Sequence, residues 1–176
     1  MGLSPAEIRR NAYLHEAGHA IVALELGLVV QEVQCDGESG HCRAELSSAD
    51  SARLAHVYKT NHPIGTGAAL QPVLDAYFGK LGTLLGGIAG ESLELGQAIF
   101  STRRAADDFS TFFGFLAAMS RAVPVSEADP LWMATYAKAQ DEAWRIVMKR
   151  EADVRKLAAA LELHGTISGG VLLKMI

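Results

Sequence analysis

The sequence predicts a mainly helical domain that carries one small β-hairpin element. Three observations support this fold class. A capping box at Ser4 opens a helical pattern that runs unbroken to Glu25. Apolar residues recur at helical spacing over 73–95, 104–121 and 130–164. Only the stretch between Leu28 and Leu46 is rich in β-formers, and it holds an Asp-Gly pair suited to a tight turn. With 176 residues, 49% of them hydrophobic, the chain is long enough to bury one sizeable core. It shows no repeat and no low-complexity linker, so residues 1–176 read as a single domain.

The first helix begins at Ser4-Pro5-Ala6-Glu7, a capping box with proline at the first helical position, and Gly27 is its natural stop. Leu28 to Val33 and His41 to Leu46 read as the two strands of a hairpin turning through Asp36-Gly37. Residues 47–72 are polar and punctuated by proline and glycine, with a short helix expected around Ala52–Tyr58. Val73 to Leu95 forms a helix despite Gly82, Gly86 and Gly87 inside it. Interior glycines each cost about 1 kcal/mol against alanine, so they imply that another helix packs closely there. Gly96 ends it. A further helix is expected from Arg104 to Arg121, stopped before Pro124. Asp129-Pro130 opens the last helical region, which breaks near Arg150 and ends at His164-Gly165.

Charge and composition exclude several classes of function. The formal net charge is −4 and the isoelectric point about 5.8, with no Lys/Arg-dense stretch to meet a nucleic acid. The basic residues of 143–156 alternate with acidic ones, as on a solvated helix face. The most apolar run, Phe109 to Met119, is shorter than the roughly 20 residues a bilayer needs. His19 and Glu25 interrupt the other candidate, over 20–30. The N-terminus lacks the apolar region of a secretory signal. Two cysteines, Cys35 and Cys42, make no disulfide framework, and a cytoplasmic location is expected.

Within the first helix lies Leu14-His15-Glu16-Ala17-Gly18-His19-Ala20. Residues four apart share a helix face, with Cβ atoms roughly 5–6 Å apart, so His15 and His19 can converge on one Zn²⁺. Glu16 is rotated away from the metal yet stays near it, which suits a base acting on water rather than a ligand. Chance alone yields the pattern in about one chain in a few hundred of this length, so the motif does not decide the matter by itself. A catalytic zinc site wants three protein ligands and an open position. The candidate carboxylates for the third are Glu91, Glu94, Asp107 and Asp108, and spacing alone does not choose among them.

The string from His15 to Val22 resembles the zinc-site helix of the FtsH-type metallopeptidases. Leu84-Leu85-Gly86-Gly87-Ile88-Ala89-Gly90-Glu91-Ser92-Leu93 is similar to that family's glycine segment. Ser101 to Phe109 resembles the segment that carries its aspartate ligand, and Ala143 to Leu172 follows its closing helices. The resemblance implies an FtsH-protease-like zincin helix bundle with His15, His19 and Asp108 as metal ligands. Counting from Thr102 selects Asp107 instead; Asp108 is preferred because Phe109 then matches the family's apolar position. Glu91 corresponds to a family glutamate and would hold a histidine's other ring nitrogen. Ile88 and the pair Arg103-Arg104 depart from the family's residues, and 47–72 does not align. No phosphate-binding G-x-x-x-x-G-K-[ST] occurs, so ATP-driven unfolding cannot come from this chain alone.

The activity implied is zinc-dependent hydrolysis of peptide bonds in peptides or unfolded chains, through a metal-activated water with Glu16 as general base. A homo-oligomer or a separate ATPase is the protein partner the resemblance suggests. Two other readings stay open: a metal-binding scaffold without proteolysis, and a zinc hydrolase of a non-peptide amide. The hairpin's edge, at Gly40, His41 and Cys42, could receive an extended substrate as a further strand. Cys35, His41 and Cys42 fit no standard zinc spacing, so the thiols read as a cross-strand pair or simple packing.

Overall fold

The computed structural model describes residues 3–49, 51, 52, 71–96, 107, 108, 110, 111 and 130–176. Most of the short helix expected around 52–58, and of the helix expected over 104–121, lies outside them. So do the Asp129 cap, His56 and His62.

Helix α1 spans Pro5–Glu25 and begins where the capping box requires. The Ser4 N–H donates to Glu7 Oε2 at 2.7 Å, and the Glu7 N–H donates to Ser4 Oγ at 3.3 Å. Two donors that a helix start leaves unpaired are thus satisfied reciprocally. At the other end the chain turns through Gly27, at φ +78°. A helix of this kind normally buries one stripe, but α1 is buried on every side from Asn11 to Ala23. It is the central element of the fold.

Helix α2, Gln71–Leu95, lies against α1 through glycine. A Cβ added at Gly18 would stand 2.2 Å from the Gly86 carbonyl oxygen, and one at Gly90 would stand 2.2 Å from the Leu14 oxygen. The interior glycines therefore let two backbones meet where side chains would hold them apart. Helix α3, Pro130–Lys149, packs on α2, and α4, Glu151–His164, packs on α1. The chain breaks between them at Arg150, whose guanidinium reaches Asp153 at 2.6 Å and pairs with Glu25 at the end of α1. Leu14, Ile21, Leu81, Ile88, Ile146, Leu157 and Leu161 fill the core where these helices converge.

The β element is larger than a hairpin. Strands β1, Val29–Cys35, and β2, Gly40–Glu45, pair antiparallel, and a third strand, β3 at Thr166–Ser168, pairs on the other edge of β1. The expected strand bounds thus move by a residue or two, and the third strand, which the hairpin reading does not include, follows Gly165. Gly165, at φ +73°, ends α4 and accepts the Cys35 N–H at 2.9 Å, which steers the chain onto β1. Helix α5, Gly169–Met175, follows and buries Leu172. The fold is mainly helical with a small antiparallel sheet, as the sequence predicts. Among the described residues no helix is long and apolar enough to cross a membrane.

Candidate metal centre

His15 and His19 lie on the same face of α1, at its most buried part, 2% and 6% exposed. Their Nε2 atoms are 3.0 Å apart, with the rings nearly perpendicular. Asp108 enters from a separate helical segment, and its Oδ2 stands 3.0 Å from His15 Nε2 and 3.4 Å from His19 Nε2. Asp107 is exposed and outside this triangle, although it lines the adjoining cavity. Glu94 is also elsewhere, paired with Arg10 at 3.2 Å.

Each imidazole is oriented through its other nitrogen. His19 Nδ1 stands 2.7 Å from the Thr83 carbonyl oxygen. A carbonyl only accepts, so Nδ1 carries the proton and Nε2 presents its lone pair to the triangle. His15 Nδ1 lies 2.9 Å from Glu91 Oε1, with both side chains buried. That contact is electrostatic rather than well directed, since neither Glu91 oxygen has a hydrogen-bond partner among the described residues.

Three electron-pair donors therefore face one another across 3.0–3.4 Å. With bonds of about 2.0–2.1 Å, two ligands of a tetrahedral zinc lie about 3.3 Å apart. The triangle fits a tetrahedral cation. The protons of this cluster respond to the same crowding. Burial pushes the His15 pKa down, but the Asp108 and Glu91 carboxylates overcome it and raise it to about 9. Burial likewise lowers that of His19, and Asp108 raises it above the ordinary value. Burial alone would raise Asp108; the two imidazoles hold its carboxyl well below the usual range.

No protein-family model matches the chain, and no curated protein matches it. The chemistry of the site is therefore read from its own atoms.

Glu16 is 4% exposed and its Oε2 has no hydrogen-bond partner among the described residues. Burial raises its pKa above the ordinary carboxylate value, against the pull of His19 and His15. A carboxylate so tuned accepts a proton more readily than a solvated one. Gly40, the first residue of β2, comes against it: a Cβ there would lie 2.6 Å from Glu16 Cγ. Strand β2 is an edge of the sheet, with His41 exposed on it and 3.6 Å from Glu32. Cys42 faces inward, and burial pushes its thiol up to about 12. The register sets Gly40 opposite Cys35 and Val33 opposite Cys42, so the thiols are not a directly opposed cross-strand pair. Both are free.

Three contributors were not legible as site residues. Gly87 forms the floor: a Cβ there would meet His19 Nε2 at 2.6 Å and His15 Nε2 at 2.7 Å. Its only signal in the sequence is a glycine inside a helix. Thr83 contributes a main-chain oxygen, which no residue type advertises. Asn11, one turn before His15, joins His15, Glu16, Glu91, Gly40 and Asp108 around a cavity of 770 Å³. Asn11 follows Arg9-Arg10, so its polarity gave no signal in the sequence.

Proposed function

We propose that the protein is a zinc-dependent metallopeptidase that hydrolyses peptide bonds of peptides or unfolded chains. The observation that carries this reading is the convergence of His15, His19 and Asp108 beside a buried, raised-pKa Glu16, with His15, Asp108 and Glu16 lining one cavity. The resemblance to the FtsH-type metallopeptidases supports the same assignment. It also suggests a cytoplasmic setting, in which subunits of this chain or a separate ATPase would present unfolded substrate.

His15, His19 and Asp108 would hold the metal, with Thr83 and Glu91 fixing the imidazoles. Zinc supplies Lewis-acid activation of water and relief of the negative charge that develops on a carbonyl oxygen. Glu16 takes the proton of the attacking water and delivers it to the leaving amine. Its burial keeps bulk water from competing for that proton. The Gly40 backbone limits how Glu16 can move, so its carboxylate stays near the cluster.

Metal analysis and a fluorescent casein assay test the reading together. The purified chain should carry about one zinc, lost in His15→Ala and His19→Ala. Glu16→Gln should keep the zinc and lower turnover by about 10²–10⁴-fold. Turnover unchanged in Glu16→Gln would overturn the mechanism.

A further inference from the structure

The cavity beside the cluster runs along α1 toward the start of the helix, where Leu3, Pro5 and Ile8 form its rim. Leu3 and Ile8 are exposed apolar side chains. Between that rim and His15 lies Asn11, 3% exposed, and neither Nδ2 nor Oδ1 has a hydrogen-bond partner among the described residues. A buried carboxamide without partners is costly to keep, so its presence asks for a ligand that completes it. The carboxamide offers a donor and an acceptor side by side. An extended residue presents the complementary pair, its own N–H and C=O on one side, whereas an ester or a carboxylate presents acceptors alone.

Ile8, Asn11 and His15 occupy one face of α1. At about 1.5 Å of rise per residue, Asn11 stands about 6 Å and Ile8 about 10 Å along the axis from His15. An extended chain advances about 3.3 Å per residue. Laid along this face, it brings the N–H and C=O of a residue about two positions from the cleaved bond to Asn11. The side chain about three residues away then reaches Ile8.

We propose that this cavity is the substrate subsite of the peptidase: Asn11 pairs the main-chain N–H and C=O of one residue of the bound chain, and Leu3, Pro5 and Ile8 receive an apolar side chain beyond it. The inference rests on the peptidase reading and gives it a substrate class, an extended chain with an apolar residue about three positions from the cut. It also makes α1 serve twice, with the metal ligands and the subsite a turn apart.

The test uses zinc-loaded Glu16→Gln protein, which should bind without cutting, titrated with fluorescein-labelled, dephosphorylated β-casein and followed by anisotropy. Adding Asn11→Leu should raise Kd about tenfold, and adding Ile8→Asp about fivefold, both with zinc content unchanged. Thermal melting separates binding from folding: Asn11→Leu removes a buried carboxamide that has no partner among the described residues, so its Tm should equal or exceed the parent's. A Kd within twofold of the parent in both variants overturns the proposal, as does a weaker Kd that comes with a lowered Tm. Casein bound in an Asn11-dependent way but never cut by the wild type leaves the subsite standing and overturns the peptidase reading. Casein cut equally well by wild type and Asn11→Leu does the reverse. Absence of any casein binding overturns both.

Discussion

The two sides of α1 are built on opposite terms. Toward α2 the helix presents Gly18, and backbone meets backbone with no side chain between. Toward the cavity it presents Asn11, His15 and Glu16, whose polar atoms have few or no partners among the described residues. The first side is saturated and leaves no room to adjust. The second turns open polar atoms toward a cavity. The contrast teaches that the site borrows its rigidity from the face behind it, because imidazoles one turn apart stay in place only if the helix carrying them cannot shift.

Substitutions on the saturated side should produce the largest effects. Gly18→Ala forces a carbon against the Gly86 oxygen, and should cost about 3 kcal/mol in urea unfolding, the upper range for overpacking. A loss below about 0.5 kcal/mol would show that the helices can separate cheaply, and the contrast would fail. Gly87→Ala lies where the two sides meet. Its methyl would occupy the space of both Nε2 atoms, so zinc affinity should fall by about 100-fold while no ligand has been removed. Competition with a chromogenic chelator measures it. On the cavity side, Glu91→Gln keeps the shape and removes the charge facing His15. Zinc affinity should fall by about tenfold, the lower range for a residue that orients a ligand.

Acidity should sharpen the same contrast with the smallest shifts. The raised pKa of His15, about 9, means that at neutral pH zinc must displace its proton. Calorimetry in buffers of different ionisation enthalpy should therefore register proton release at pH 7, shrinking above pH 9. For protein stripped of metal, the sign of the stability change follows from the same shift. A folded pKa above the unfolded one stabilises fully below the unfolded value, about 6.5, and that stabilisation is lost as pH rises through about 9. Asp108 acts in the opposite direction: its depressed pKa stabilises above the ordinary carboxylate value and is lost on strong acidification. The His15 contribution, whose shift already includes the cost of burial, should be on the order of a few kcal/mol. Melting temperatures that rise between pH 6.5 and 9 would contradict the charge arrangement.

What the sequence revealed and what it hid divide along physical lines. Local chemistry was legible: the Ser4 box, the stop at Gly27, the break at Arg150 and the stop at Gly96 all appear where expected. The glycines of α2 announced a close neighbour without saying which one. Strand β3 was hidden because its three residues pair with β1 far along the chain, a decision made by the fold and not by local preference. Of the two readings of the thiols, an opposed pair and simple packing, the register excludes the first for a similar reason. The turn from Asp36 to Ser39, held by Asp36 Oδ1 accepting from the Glu38 and Ser39 N–H groups, sets a register that spacing does not reveal. Between Asp107 and Asp108 the question was one of helix phase. A step of one residue turns a side chain by about 100°, and only the packed arrangement says which of two neighbours faces inward.

The triangle of donors joins points that are distant along the chain. His19 and Asp108 lie on either side of α2, so an ion held by both would close a loop over that whole helix and the segment after it. Cross-linking of this kind acts on the unfolded chain, by removing conformations it could otherwise visit, and its effect grows only slowly with loop length. An ion placed there would be a staple as much as a reagent. A chelator would release the strap that fastens the two ends of the loop, and the chain's tolerance of heat would register the loss before any substrate was added.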